Sequence, residues 1–162
     1  MQTKKPDIQE LEETIQKYKR TVYGIAITQL NHKHEADDVF QEVFLLYFSK
    51  APSFDQEESK KAWLIRTTIN KCRQYNFSKW NIHIDKTNEL DISQLIDLEE
   101  DHHVFIAVKE LAPKYREAVY MHYFLGMSVN EIAYTLKLRP NTVSMRLNRA
   151  KKILKKRLED DY

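Results

Sequence analysis

Glycine and proline are scarce in this chain, at two and four copies in 162 residues. So few backbone breakers favour long regular elements, and helix is the natural one. The single cysteine, Cys72, excludes an internal disulfide and fits a reducing compartment. Its plain reading is a small buried apolar group. No apolar run approaches the ~18 residues of a membrane span. The opening MQTKKPDIQELEE also lacks the apolar core of a signal peptide, so a cytoplasmic location without membrane insertion is expected. With only Gly24 and Gly126 available, there is no glycine-rich phosphate loop and no nucleophile elbow. The histidines (His32, His34, His83, His102, His103 and His122) have no cysteine or carboxylate completing a spaced ligand set. Neither a metal nor another cofactor is expected, and no catalytic activity.

What is present is charge, at 31% of residues, together with ample apolar content. That combination describes a soluble folded chain rather than a disordered one. The length allows one ordinary domain or two small ones, and small ones build modest cores. The net charge of +2 hides a strong asymmetry. Lys137 to Arg157 carries nine basic residues and no acidic one, whereas Asp85 to Asp101 carries seven acidic residues against Lys86 alone. A concentrated positive stretch is the footprint of nucleic-acid binding, although a solvated helix face has the same composition.

Apolar spacing predicts helices over Ile8–Leu30, His34–Ser49 and Ser59–Trp80, with a loop at Ala51–Glu58. The second shows Ala36, Val39, Phe40, Val43, Phe44 and Tyr47 at helical period, and the third points Ala62, Ile65, Ile69 and Cys72 inward. Residues 81–101 have no sustained period, with at most a short helical turn at Ile92–Leu98, and read as a flexible acidic linker. Four further helices are predicted over Asp101–Leu111, Pro113–Leu125, Val129–Leu136 and Pro140–Glu159. Pro113 suits a first helical position, Gly126 a left-handed stop, and Ser128 to Glu131 a capping box. The expected fold is all-α, with a three-helix domain (1–80) and a four-helix domain (102–162) on either side of the linker.

Ser128 to Arg157 then forms two helices around a turn at Lys137–Arg139. The first buries Ile132, Ala133 and Leu136, and the second buries Val143, Leu147, Ala150 and Leu154. The other side of the second helix carries Asn141, Met145, Asn148, Arg149, Lys152 and Lys156, groups able to reach base edges and phosphates in a major groove. In the first domain, Glu35, Asp37, Asp38, Gln41 and Glu42 are expected away from the apolar stripe. Such an acidic strip repels DNA and calls for a protein or a cation. On the third helix, Arg66, Thr67, Asn70 and Gln74 share an arc with Trp63, with Arg73 at its border. Guanidinium, amide and hydroxyl groups beside an aromatic suit unstacked bases. Trp63 also fits a core anchor, and Phe54 a loop staple.

The run from Leu111 to Leu154 resembles the promoter-binding region 4 of extracytoplasmic-function sigma factors. The resemblance rests on Pro113, Arg116, Gly126, Ser128, Glu131-Ile132-Ala133, Thr142-Val143, Arg146-Leu147 and Arg149-Ala150. The chain departs from that pattern at Lys137 (usually glycine), at Arg139-Pro140 (often a serine cap), at Ser144 (usually lysine) and at Met145 (usually small and polar). EADDVFQEVFLLYF and KKAWLIRTTINKCRQYNFSKW likewise resemble sigma region 2. This resemblance implies an alternative sigma factor that directs core RNA polymerase to promoters. Asp37, Asp38, Gln41 and Glu42 would meet the β′ clamp helices. Phe54, Trp63, Arg66, Thr67, Asn70, Arg73 and Gln74 would hold the melted −10 element. Arg139, Asn141, Thr142, Ser144, Met145, Arg146, Asn148, Arg149 and Lys152 would read the −35 duplex. Implied partners are the polymerase (β′ clamp helices, β flap), promoter DNA and an anti-sigma protein. Two other readings stay open on the residues alone: an autonomous helix-turn-helix regulator, and a protein-interaction adaptor that never touches nucleic acid.

Overall fold

The computed structural model describes residues 5–81 and 102–160, with side chains for 5–77 and 103–160. The expected linker, with its helical turn at Ile92–Leu98, lies outside the described residues. The chain divides into two compact units, one within residues 1–90 and one within 91–162. Among the described residues the secondary structure is entirely helical.

The first unit packs α1 (Ile8–Gln29), α2 (Lys33–Lys50) and α3 (Glu57–Asn81) against one another. Asp7 starts α1 by accepting the Glu10 amide at 2.7 Å, satisfying one of the orphan donors of a helix N-terminus. Val22 and Ile27 of α1 and its C-cap Leu30, Val39 and Val43 of α2, and Leu64 and Ile65 of α3 are all but fully buried. Cys72 is buried and free, as expected. Burial on α3 is wider than the apolar pattern alone predicted, because Thr68 is also inside. Its hydroxyl is satisfied by the Leu64 carbonyl at 2.7 Å, the usual resolution for a buried helical threonine. α3 starts at Glu57, two residues before the expected Ser59, so the loop is shorter. The Glu57 carboxylate accepts from the Tyr18 hydroxyl and pairs with Lys17 and Lys60 at 3.3 and 3.5 Å. Tyr18 and Lys17 from α1, Lys60 one turn on in α3, and the favourable placement of acid at a helix N-terminus draw the residue into the first turn.

The second unit contains α4 (His102–Lys109), α5 (Pro113–Val119), a π turn (Tyr120–Phe124), α6 (Val129–Leu136) and α7 (Pro140–Asp160). α4 ends two residues before the expected Leu111, and Ala112 is extended as the residue before Pro113 must be (φ −56°, ψ 147°). The expected single helix over Pro113–Leu125 changes pitch at Tyr120, where the Leu125 amide bonds the Tyr120 carbonyl at 3.1 Å. Tyr120 stacks on Phe124 at 5.2 Å, and Phe124 meets Phe105 edge-on at 5.9 Å, so aromatic packing accompanies the wider turn. Gly126 is left-handed at φ 67°. Ser128 caps α6 by accepting the Glu131 amide at 3.1 Å. The core holds Phe105, Val108, Val119, Met121, Ile132, Val143 and Ala150. Leu136 and Leu154 are only half-buried, whereas Thr135 is inside.

Candidate docking and nucleic-acid surfaces

The outer face of α2 is acidic because its inner face is fully committed to the core. Asp38 and Gln41 are exposed, while Asp37 and Glu42 are half-buried at the two edges. Asp37 Oδ1 accepts the Tyr23 hydroxyl at 2.6 Å, and Glu42 Oε1 accepts the Tyr75 hydroxyl at 3.3 Å. Lys71 Nζ lies 3.8 Å from Glu42 Oε2. Glu35 departs from expectation. It sits at the α3 edge of α2 and is buried at 7% exposure, so it is no part of the outer strip. Burial, then the carboxylates of Glu42 and Asp38, push the Tyr75 hydroxyl up to about 12. Leu45, 65% exposed, continues the strip one turn beyond Gln41 and Glu42. Being apolar, Leu45 carries no mark in the charge pattern that identifies the strip in the sequence.

The second surface joins the loop before α3 to one side of that helix. Trp63 is half-buried between Tyr47 at 6.4 Å and Phe54 at 6.1 Å, so the anchor and the loop staple are one aromatic contact. Arg66 and Thr67 are half-buried, and Asn70, Arg73 and Gln74 are exposed. Phe77 lies one turn beyond Arg73 and 68% exposed, an aromatic that the core-oriented reading missed. Tyr18, Lys17 and Lys60 fasten Glu57, and with it the loop's exit into α3.

The third surface is the helix-turn-helix of α6 and α7. Lys137 turns the chain in the left-handed region, φ 57° and ψ 46°, where the resembled family has glycine. Val143, Leu147 and Ala150 hold α7 against the unit. Arg139, Asn141, Met145, Asn148, Arg149 and Lys152 are exposed, and Thr142, Ser144 and Arg146 half-buried. The neighbouring Arg149 guanidinium, with help from Lys114, holds the Tyr115 hydroxyl below the ordinary tyrosine value. Tyr115 and Lys114 thus extend the basic face beyond α7, a tertiary neighbourhood that sequence spacing does not reveal. At the far end, Arg157 is tied to Glu110 at 3.1 Å. The His32 and His34 rings lie 5.4 Å apart, tilted by 33°, and among the described residues no three His, Cys, Asp or Glu side chains are placed to hold a metal.

The sigma-70 region 2 family matches residues 14–81, and sigma-70 region 4 matches residues 107–154, together most of the chain and in the expected order. The chain belongs to the extracytoplasmic-function sigma factors. Among curated relatives, the ECF RNA polymerase sigma factor SigW of Bacillus subtilis is 26% identical over 179 aligned residues, covering 98% of this chain and 94% of that protein. SigV of the same organism is 27% identical, over 85% of this chain and 84% of its own length. Solved structures share the fold. CnrH, in complex with the cytosolic domain of CnrY, gives a TM-score of 0.74 at 24% identity, over 96% of this chain and 92% of that one. RpoE of Bartonella quintana, in complex with the anti-sigma factor NepR, gives 0.71 at 20% identity, over 96% and 100%. As a sigma factor the chain is a transcription initiation factor and not an enzyme. No described helix is long and apolar enough to cross a membrane.

Proposed function

We propose that this sigma factor divides promoter recognition between its two units while core RNA polymerase holds both, in the cytoplasm. Asp38 and Gln41, flanked by Asp37 and Glu42, dock on the basic clamp helices of β′. Phe54 and Trp63, with Arg66, Thr67, Asn70, Arg73 and Gln74, receive the melted −10 strand. Extruding a base costs a few kcal/mol, and stacking at about 1–3 kcal/mol per base offsets it. Arg139, Asn141, Thr142, Ser144, Met145, Arg146, Asn148, Arg149 and Lys152 face the −35 duplex, with polar groups toward base edges and cations toward phosphates. The β flap is the polymerase contact assigned to the second unit. The acidic residues between the units thread toward the polymerase's nucleic-acid path.

The observation that carries this reading is the pairing of an acidic helix face in one unit with a basic recognition helix in the other. A duplex-binding regulator has no use for the first. Solved relatives occur with CnrY and NepR, and we propose that an anti-sigma protein restrains this chain too. Run-off transcription with bacterial core polymerase on a genomic promoter library tests the function. New start sites sharing a two-part upstream motif are expected. Duplex binding without any new start site would replace this reading with an autonomous regulator.

A further inference from the structure

The acidic face of α2 contains carboxylates of two kinds. Residues advance about 100° each around a helix, so His34, Asp38, Gln41 and Leu45 line the middle, with Asp37 and Glu42 at opposite edges. The middle residues are exposed and the edge residues half-buried. Each edge carboxylate is reached by a tyrosine from a different neighbouring helix. Tyr23 of α1 donates to Asp37 at 2.6 Å, and its ring packs edge-on against Phe40 at 5.8 Å. Tyr75 of α3 donates to Glu42 at 3.3 Å, with Lys71 at 3.8 Å on the other carboxylate oxygen. Hydrogen bonds to charged acceptors are among the stronger side-chain restraints. A rotamer-rich side chain that must be ordered on association costs roughly 0.5–1.5 kcal/mol, and prior ordering removes that cost.

We infer that Tyr23 and Tyr75 are positioning residues for polymerase docking, holding the Asp37 and Glu42 carboxylates as fixed edges of the acidic strip. A basic helical partner then meets a charge pattern set before contact. The inference rests on the docking reading of α2. Neither tyrosine belongs to the strip, and each acts through the carboxylate it restrains.

The test measures affinity for core polymerase, with −35 duplex binding by the same full chain as internal control. Y23F and Y75F are each expected to weaken polymerase binding about three- to tenfold, the equivalent of the ordering cost, with duplex binding unchanged. In an Asp37→Ala background, Y23F is expected to have no further effect, and likewise Y75F with Glu42→Ala. Unchanged polymerase affinity in the tyrosine variants, or losses that add to those of the carboxylate variants, overturns the positioning role, even if melting temperature falls. If Asp37→Ala, Asp38→Ala and Glu42→Ala all bind polymerase as the wild type does, the docking reading falls and this inference with it.

Discussion

Lys137 occupies a backbone conformation that L-residues avoid, φ 57°, at the turn on which the helix-turn-helix depends. Left-handed geometry costs a non-glycine residue about 1–2 kcal/mol, of which glycine's greater unfolded-state freedom takes back about 0.5–1. Lys137→Gly should therefore stabilise the second unit by about 0.5–1 kcal/mol in chemical denaturation. A loss of stability would show that the lysine stem contributes more than the strain costs. A second residue-scale effect is pH-dependent. The hydrogen bond from Tyr18, aided by Lys17 and Lys60, holds Glu57 below its ordinary value of 4.5. A depressed carboxylate contributes stability that is complete above its unfolded value and disappears as pH falls through its folded one. Wild-type stability should thus decline more steeply than that of Glu57→Gln once pH drops below the ordinary value. The difference should be modest, because Glu57 is 55% exposed and screened. Parallel acid profiles of the two proteins would remove Glu57 from the account.

Among the elements, α7 has most to do and least freedom. Its buried stripe of Val143, Leu147 and Ala150 sets which residues face outward. Pattern alone gave that orientation. It did not give Tyr115, which meets Arg149 only because α5 packs beside α7. Arg149→Ala is expected to weaken −35 duplex binding by about 1–3 kcal/mol if it contacts a base, with relaxed discrimination at one position. Lys152→Ala should weaken all sequences alike and reduce the salt slope by about one. Competition binding at several salt concentrations separates the two. Equal, sequence-independent losses would place both residues on phosphates. α6 relies on its cap: Ser128→Ala should cost about 1 kcal/mol of the second unit's stability in thermal unfolding.

At the scale of the whole molecule, the two units have separate cores, and each is small enough that one core substitution matters. Ile132→Ala, at a fully buried position of α6, should cost about 2–5 kcal/mol. It should abolish −35 duplex binding while leaving the first unit's unfolding transition in place. Ile65→Ala should do the reverse, removing the clamp-helix share of polymerase affinity and sparing the duplex. Concerted unfolding of both units by either substitution in a denaturation scan would contradict their independence. Promoter-directed transcription should fail in both cases, since it needs both functions on one chain.

The all-α class, the order of the helices, the cap at Ser128, the left-handed Gly126 and the buried stripes of α2 and α7 were legible in the sequence. Each depends on spacing or on local backbone chemistry, and both act between residues close in the chain. Tertiary structure decided the rest. It buried Glu35, moved the start of α3 to Glu57, opened the π turn around stacked Tyr120 and Phe124, and tied Asp37 and Glu42 to tyrosines of other helices. Those outcomes depend on residues 14 to 39 positions apart, or on packing between side chains, and helical periodicity carries no information about either.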